Sequence, residues 1–185
     1  ILYKRNETPD SVRNDISVMR KEYVTSLALM LLDMRLKATA DEYRGIMSAP
    51  AAADSYYSVA ATKRATTLSA QFHTGKWSEA MNAVIRETKR AIVHGITETE
   101  FERLKTSMMR SVNQSYQSRN SVANAQYASQ LQQHFLKNMP AMSVEQYCSL
   151  YMQILQSVTL KEVNTRLQQL ITDYNLAITV QGEEY

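Results

Sequence analysis

The sequence predicts an α+β domain in which a small sheet is covered by several long helices. Only four glycines and three prolines occur in 185 residues, and so few breaks favour long helices. Apolar residues recur at helical spacing over most of the chain, whereas short stretches near both ends and after residue 55 alternate as strands do. A chain of this length can bury one substantial core, so we expect residues 1–185 to form a single domain.

The N-terminal segment predicts a short strand over residues 1–5, followed by a long helix. Thr8 is expected as the N-cap, Pro9 as the first helical residue, and Asp10 as a favourable charge near the positive end of the helix dipole. This helix should run to about Tyr43, just before a glycine. The apolar positions expected to face the core are Val12, Ile16, Met19, Tyr23, Leu27, Met30 and Met34.

Two strands and a second helix are predicted in the middle of the chain. Small, β-branched and aromatic residues alternate loosely over residues 56–61 and 65–73, with a turn near Lys63. A helix then begins near Trp77 and is closed by Gly95, which can adopt the backbone conformation that ends a helix.

Three more helical segments and a closing strand complete the prediction. A long helical region runs over residues 101–131 and ends before Pro140. Capping-box patterns start two further helices, Ser143 with Gln146 and Thr159 with Glu162. Residues 175–180 alternate as a strand. Without the additional helices this order is the ferredoxin-like split β-α-β arrangement, for which we expect a mixed sheet with the helices on one face.

Composition and charge exclude several classes of function. The chain has 21 Lys and Arg against 18 Asp and Glu, and no basic run is longer than a pair, so nucleic acid is not an expected partner. No apolar run approaches the roughly 20 residues that span a bilayer. The single Cys148 excludes an internal disulfide and, with no histidine or cation near it in sequence, is interpreted as a buried, unreactive thiol.

The stretch "HGITETEFERLKTSMMR", residues 94–110, raises the question of a metal site. His94 and Glu98 have the i, i+4 spacing of zinc ligands on one helix, but Gly95 and a helix cap at Thr97 separate them. His94 is therefore interpreted as the last residue of one helix, and Thr97 with Glu100 as the capping box of the next. The other histidines, His73 and His134, are interpreted as surface or packing residues. No metal ligand is expected in this chain.

A polar seam runs through the long helical region and leaves two interpretations open. Its members are Arg110, Gln114, Arg119, Asn120, Asn124, Gln126 and Gln130. They form either a solvated helix face, or a face that packs on another domain or lines a cavity, where neutral polar groups can satisfy one another.

The order and spacing of several segments resemble a known family. These segments are "DSVRNDISVMRKEYVTSLALMLLDMRL", the lone Trp77 in "WSEA", "HGITETEFERLKTSMMRSV", "SRNS", "HFLKNMP" and "SVTLKEVNTRLQQLI", followed by a strand leading to Gly182. Together, from about Tyr3 to Gly182, they resemble the second, non-catalytic domain of a half-unit in the pitrilysin/insulinase family of zinc metallopeptidases.

The resemblance implies a processing-peptidase-like domain without chemistry of its own. In the family, two halves close around a chamber that peptides enter, and zinc is bound in a sister domain through an H-x-x-E-H motif. That motif is absent here, so no catalytic or metal-binding residue is expected and zinc belongs to a sister domain of the parent. The resemblance makes Arg35 and Tyr43 candidates for the family's substrate-binding arginine and tyrosine, although their spacing is eight residues rather than seven and the segment "DEYRGIMSAP" departs from the family pattern.

The expected function is therefore that of an inactive peptidase domain cut from a longer zinc metalloendopeptidase. It would form chamber wall and inter-domain contacts, with sister domains and peptide substrate as partners, and the resemblance suggests the cell envelope or periplasm. Two alternatives stay open: a scaffold subunit that has lost peptidase activity, and an unrelated helical interaction module. An H-x-x-E-H motif upstream would favour the peptidase over the scaffold, and a structure without the mixed sheet would favour the helical module.

Overall fold

The structure, a computed structural model, describes residues 1–57, 59–60, 62–172 and 174–182. The strands are β1 (Leu2–Asn6), β2 (Met47–Tyr56), β3 (Lys63–Phe72) and β4 (Leu176–Ala177). The helices are α1 (Ile16–Glu42), α2 (Trp77–His94), α3 (Glu98–Gln117), α4 (Asn124–Lys137), α5 (Val144–Ser157) and α6 (Leu160–Leu170). Two short 3-10 turns, Asp10–Val12 and Arg119–Ser121, precede α1 and α4.

The four strands of the described residues form one sheet in the order β2-β3-β1-β4. This order confirms the predicted α+β class and the ferredoxin-like arrangement. The expected mixture of strand directions is wrong, because every neighbouring pair is antiparallel. Strands β1 and β2 do run in the same direction, since both are antiparallel to β3, but β3 lies between them and no parallel pair forms.

Helix α1 begins later than predicted. Thr8, Pro9 and Asp10 start only the 3-10 turn, and α1 itself begins at Ile16 after an extended Asp15. Its end at Glu42 agrees with the prediction. The helix does not begin at Pro9 because the backbone turns once and is extended again at Asp15 before α1. In this segment the Arg13 side chain donates a hydrogen bond to the Lys137 carbonyl.

The core-facing side of α1 is also different from the predicted stripe. Ile16 is 68% exposed, and Met30 and Met34 are exposed as well. Helix α1 packs on β2, α2, α3 and α6 at once, so it is buried over more than one face. The deepest positions are Leu27, Ala28, Leu31, Leu32 and Leu36. A helix surrounded in this way has no single apolar stripe that periodicity could identify.

Strand β2 lies earlier in the chain than the strand predicted at residues 56–61. Two residues of that predicted strand, Ser58 and Ala61, lie outside the described residues. Its alanine-rich sequence and internal Pro50 obscured it. Proline is tolerated here because β2 is an edge strand, and the ladder is interrupted between Ser48 and Ala51. The Asp33 carboxylate of α1 accepts a hydrogen bond from the Ala52 amide (3.1 Å), which occupies part of the open edge.

The remaining helices follow the predicted caps closely. Gly95 ends α2 with φ 75°, and capping boxes start three helices: Thr97 with Glu100, Ser143 with Gln146, and Thr159 with Glu162. The predicted region 101–131 is divided, since α3 stops at Gln117 and α4 begins at Asn124. The closing strand is shorter than expected and contains only Leu176–Ala177.

Candidate functional site

Helix α4 is the most exposed element of the fold. Of its fourteen residues none is buried. Tyr127, Leu131 and Phe135 are 39%, 61% and 88% exposed, and their four-residue spacing places them along one side of the helix. We call these three side chains the α4 stripe. A continuous exposed row of large apolar residues is typical of a surface that another protein surface covers.

The C-terminal end of α4 is fixed to the segment between β1 and α1. Arg13 donates to the Lys137 carbonyl (2.6 Å), and Asn138 donates to the Asp10 carbonyl (2.6 Å) while accepting from Asn14 (3.0 Å). Asn138 has the left-handed conformation (φ 48°) that commonly ends helices. Helix α4 is therefore held in place at its end without burying any of its side chains.

A cleft of about 520 Å³ lies between α3, α4 and α5 and receives part of the predicted polar seam. Gln126 and Gln130 line it, and Gln130 donates to the Met142 carbonyl (2.9 Å). Arg119 forms an ion pair with Glu145 (3.3 Å). The other seam residues, Arg110, Gln114, Asn120 and Asn124, are exposed. Each interpretation of the seam is thus correct for some of its members.

The region that carries α4 has a one-sided charge. Residues 103–144 contain five Lys and Arg and no Asp or Glu. Three of the five cations, Arg103, Arg110 and Lys137, have no carboxylate within 4.0 Å in the described part of the chain. Of these three, only Lys137 lies on α4 itself, whereas Arg103 and Arg110 lie on α3.

The two candidate substrate-binding residues are already engaged within the domain. Arg35 donates from Nε and Nη2 to the two oxygens of Glu100 (2.7 Å each), and from Nη2 to the Gly95 carbonyl (3.0 Å). Tyr43 accepts a hydrogen bond from Arg86, whose guanidinium lies over the tyrosine ring. Arg35 thus ties α1 to the junction of α2 and α3. Substrate contact by Arg35 and Tyr43 stays a prediction.

The residues considered for metal binding or nucleophilic chemistry do not converge. Within the described ranges, no group of three or more His, Cys, Asp or Glu side chains could hold a metal ion. His94 is the exposed last residue of α2, as predicted. Cys148 is buried, its Sγ lies 3.5 Å from the Val112 carbonyl, and burial raises the pKa of the thiol. A buried thiol with a raised pKa is unreactive at neutral pH.

Membrane association through a spanning helix has no candidate among the described residues. None of the helices there combines the length and the apolar character that a bilayer crossing requires.

Comparison with solved structures identifies the fold. A predicted insulinase family protease from Yersinia pestis aligns with a TM-score of 0.77 and 16% identity, over 91% of this chain and 36% of that protein. The first half of the periplasmic protease PqqL from Escherichia coli aligns with a TM-score of 0.79 and 19% identity, over 91% and 35%. The chain has the fold of an insulinase-type protease domain. This agrees with the family resemblance of its sequence.

The insulinase-type fold covers only part of the proteins that contain it. The chain spans about a third of the first half of PqqL and 18% of the whole of PqqL. No protein-family model matches the sequence, and no curated protein matches it either. At such low identity the likeness establishes the architecture of the chain, and activity has to be inferred from its residues.

The exposure of α4 was missed by reasoning from the sequence. The apolar spacing of Tyr127 and Leu131 predicts a helix, and residues at such spacing usually face a core. The available signal was the combination of that spacing with the absence of acidic residues over positions 103–144. A core-facing helix normally carries both charges on its solvent side, whereas α4 carries four glutamines and one lysine.

Replacing two residues of the α4 stripe should leave the stability of this chain nearly unchanged. For Leu131→Gln combined with Phe135→Ser, we expect the free energy of unfolding to change by less than about 0.5 kcal/mol, since neither side chain is buried. Leu32→Ala, at a fully buried position, should cost about 2–5 kcal/mol. Urea denaturation measures both. A loss above about 1 kcal/mol in the double variant would mean that the stripe packs within this chain.

Proposed function

We propose that this chain is a non-catalytic domain of a larger zinc metallopeptidase of the pitrilysin/insulinase type. The observation that carries the proposal is the alignment of 91% of the chain with about a third of the first half of PqqL. In such a protein the domain would form chamber wall and contacts with its neighbours. The four-stranded sheet argues against the alternative of an unrelated helical module.

The α4 stripe supports a role in contacts between domains. Its partner, in our proposal, is a sister domain of the same peptidase, since the related folds occur inside chains about three to five times longer. The partner surface would be apolar at its centre and acidic at its border, because residues 103–144 contribute only positive charge. The stripe would then be covered in the assembled protein.

The chemistry of the parent protein would lie outside this chain. Zinc would be held by a sister domain, and the peptide substrate would enter between the halves. Arg35 and Tyr43 remain the candidates for substrate contact, although Arg35 would have to exchange its bonds with Glu100 to reach a peptide. The description of PqqL as periplasmic supports a cell-envelope location for the parent.

Zinc content and peptidase activity of the isolated chain test this proposal. The purified chain should contain no stoichiometric zinc and should not cleave an unfolded peptide with or without added zinc. Metal analysis and a fluorogenic peptide assay measure these properties, and a chelator-treated sample serves as the control for adventitious protease. Proteolysis that depends on zinc and copurifies with this chain would overturn the proposal.

A further inference from the structure

A cleft of about 430 Å³ between α1 and α6 is lined by an unusual excess of cations. Its charged side chains are Arg20, Lys21, Glu162, Lys161 and Arg166. Four of these five carry positive charge, and the first turn of α6 forms part of the wall. The cleft lies on different elements from the α4 stripe.

The single acid of the cleft is already neutralised. Arg20 binds Glu162 with Nε and Nη2, at N–O distances of 2.9–3.1 Å, and donates from Nη1 to the Ser157 hydroxyl (2.7 Å). Hydrogen bonds from Arg20 lower the pKa of Glu162, so this carboxyl stays ionised and paired. Three cations remain, and none of them has a carboxylate within 4.0 Å in the described part of the chain.

Arg166 is the most informative of the three because it is only 8% exposed. Its Nε donates to the Thr25 hydroxyl (2.7 Å) and its Nη1 to the Gln169 side chain (3.3 Å). Both partners are neutral, and Nη2 makes no hydrogen bond to any described residue. A buried charge is normally paired with an opposite one. The nearest elements of the sheet do not supply that partner.

The two carboxylates whose charges act on Arg166, Asp54 and Glu22, lie closer to other arginines. Asp54 is bound by Arg5 and by Arg64 (2.7 Å), and Glu22 lies 3.9 Å from Arg64. Burial and the positive charges of Arg5 and Arg64 lower the pKa of Arg166, against the opposing effect of the Glu22 and Asp54 charges. An additional anion in the cleft would stabilise the guanidinium.

We propose that the cleft between α1 and α6 binds a small oxyanion, with Arg166 at its base and Lys21 and Lys161 at its rim. Guanidinium and ammonium groups both donate to carboxylate and phosphate oxygens. Nη2 of Arg166 makes no hydrogen bond to a described residue and is not among the buried unpartnered atoms, so it can donate to a ligand that enters the cleft. The first turn of α6 adds a favourable dipole. The ligand is a phosphate or the carboxylate of a small organic acid. This site is independent of the proposed peptidase role.

Titration with inorganic phosphate and with citrate tests the site and distinguishes the two ligand classes. At ionic strength matched with sodium chloride, we expect saturable chemical-shift changes at α1 and α6 with at least one of the two anions. Saturation by phosphate alone identifies a phosphate site, and saturation by citrate alone identifies a carboxylate site. The same anion should raise the melting temperature of the chain, because it binds only the folded state.

Charge-neutral variants at the rim locate the binding. Lys21→Gln and Lys161→Gln replace exposed residues and should not disturb folding; each should weaken binding about two- to fivefold, as expected for one exposed ion contact. Lys89→Gln on α2, also exposed and without a carboxylate partner among the described residues, is the matched control and should leave the affinity unchanged. The proposal is overturned if neither anion saturates beyond sodium chloride, or if the control weakens binding as much as the rim variants.

Discussion

Replacing Asp54 by alanine is expected to remove about 3 kcal/mol from the free energy of unfolding, the lower end of the range for breaking a buried ion pair. The Asp54 side chain is 7% exposed and accepts hydrogen bonds from Arg5, from Arg64 (2.7 Å) and from the Thr66 hydroxyl (2.9 Å). Without the carboxylate, two partly buried guanidinium groups face each other across β1 and β3. Their repulsion and lost bonds cause the destabilisation.

A carboxylate on the surface, that of Asp41, provides the matched control for the buried Asp54. Asp41 also pairs with an arginine, Arg44 (3.3 Å), but both side chains are exposed, so Asp41→Ala should cost less than about 1 kcal/mol. Urea denaturation at neutral pH compares the two variants directly. Equal losses would show that Asp54 is not the centre of a buried network.

The pH dependence of the Asp54 effect has a definite sign. Burial by itself would raise the pKa of Asp54, but the hydrogen bonds and charges of Arg5 and Arg64 outweigh it, so the pKa lies below its usual value. A depressed pKa in the folded state stabilises the fold above the unfolded pKa, and this contribution disappears as the pH falls through the folded pKa. The difference between wild type and Asp54→Ala should therefore be full at neutral pH and shrink below about pH 4.

Replacing Glu100 by alanine is expected to cost about 2 kcal/mol, because one side chain performs two functions. Its carboxylate accepts from the Thr97 amide (2.8 Å) as part of the capping box of α3, and it binds Arg35 of α1 with both oxygens. Loss of a cap costs about 1 kcal/mol, and loss of a charge-assisted bond adds a similar amount where the pair is partly exposed. Thermal or urea unfolding measures the sum.

Glu102, two residues further along the same helix, is the control for Glu100. It lies 3.7 Å from Lys105 and is half exposed, so Glu102→Ala should change stability by less than about 0.5 kcal/mol.

Hydrogen bonds from Arg35 lower the pKa of Glu100 to about 2. The stabilisation by Glu100 should therefore persist from neutral pH to about pH 4 and be lost as the pH falls towards 2. A variant as stable as the control would contradict the dual function of Glu100.

Local signals account for the parts of the fold that sequence reasoning obtained correctly. A capping box is read from two residues three positions apart, and Gly95 marks a helix end by its own conformational freedom, so these boundaries were predicted within a residue or two. The predicted order of strands and helices followed from these boundaries, and the α+β class followed from that order.

Features that depend on distant contacts were not obtained in the same way. The wide burial of α1 arises from four elements that pack on it, and strand β2 is defined by its pairing with β3 rather than by β-branched residues. The oxyanion cleft joins Lys21 to Arg166, which lie far apart in the chain. Among the described residues no element covers the α4 stripe, and apolar spacing alone does not distinguish such an exposed helix from one that faces a core.

The anchoring of α4 by its end has a consequence for how such a domain can change over evolutionary time. Hydrogen bonds from the Arg13 and Asn138 side chains to backbone carbonyls hold the end of α4, and none of the helix's side chains is buried. Substitutions of the outward-facing side chains should therefore have little effect on the stability of the fold. Selection can then act on these positions through recognition alone. A domain with this architecture could then acquire a different binding partner through the substitution of a few residues on α4.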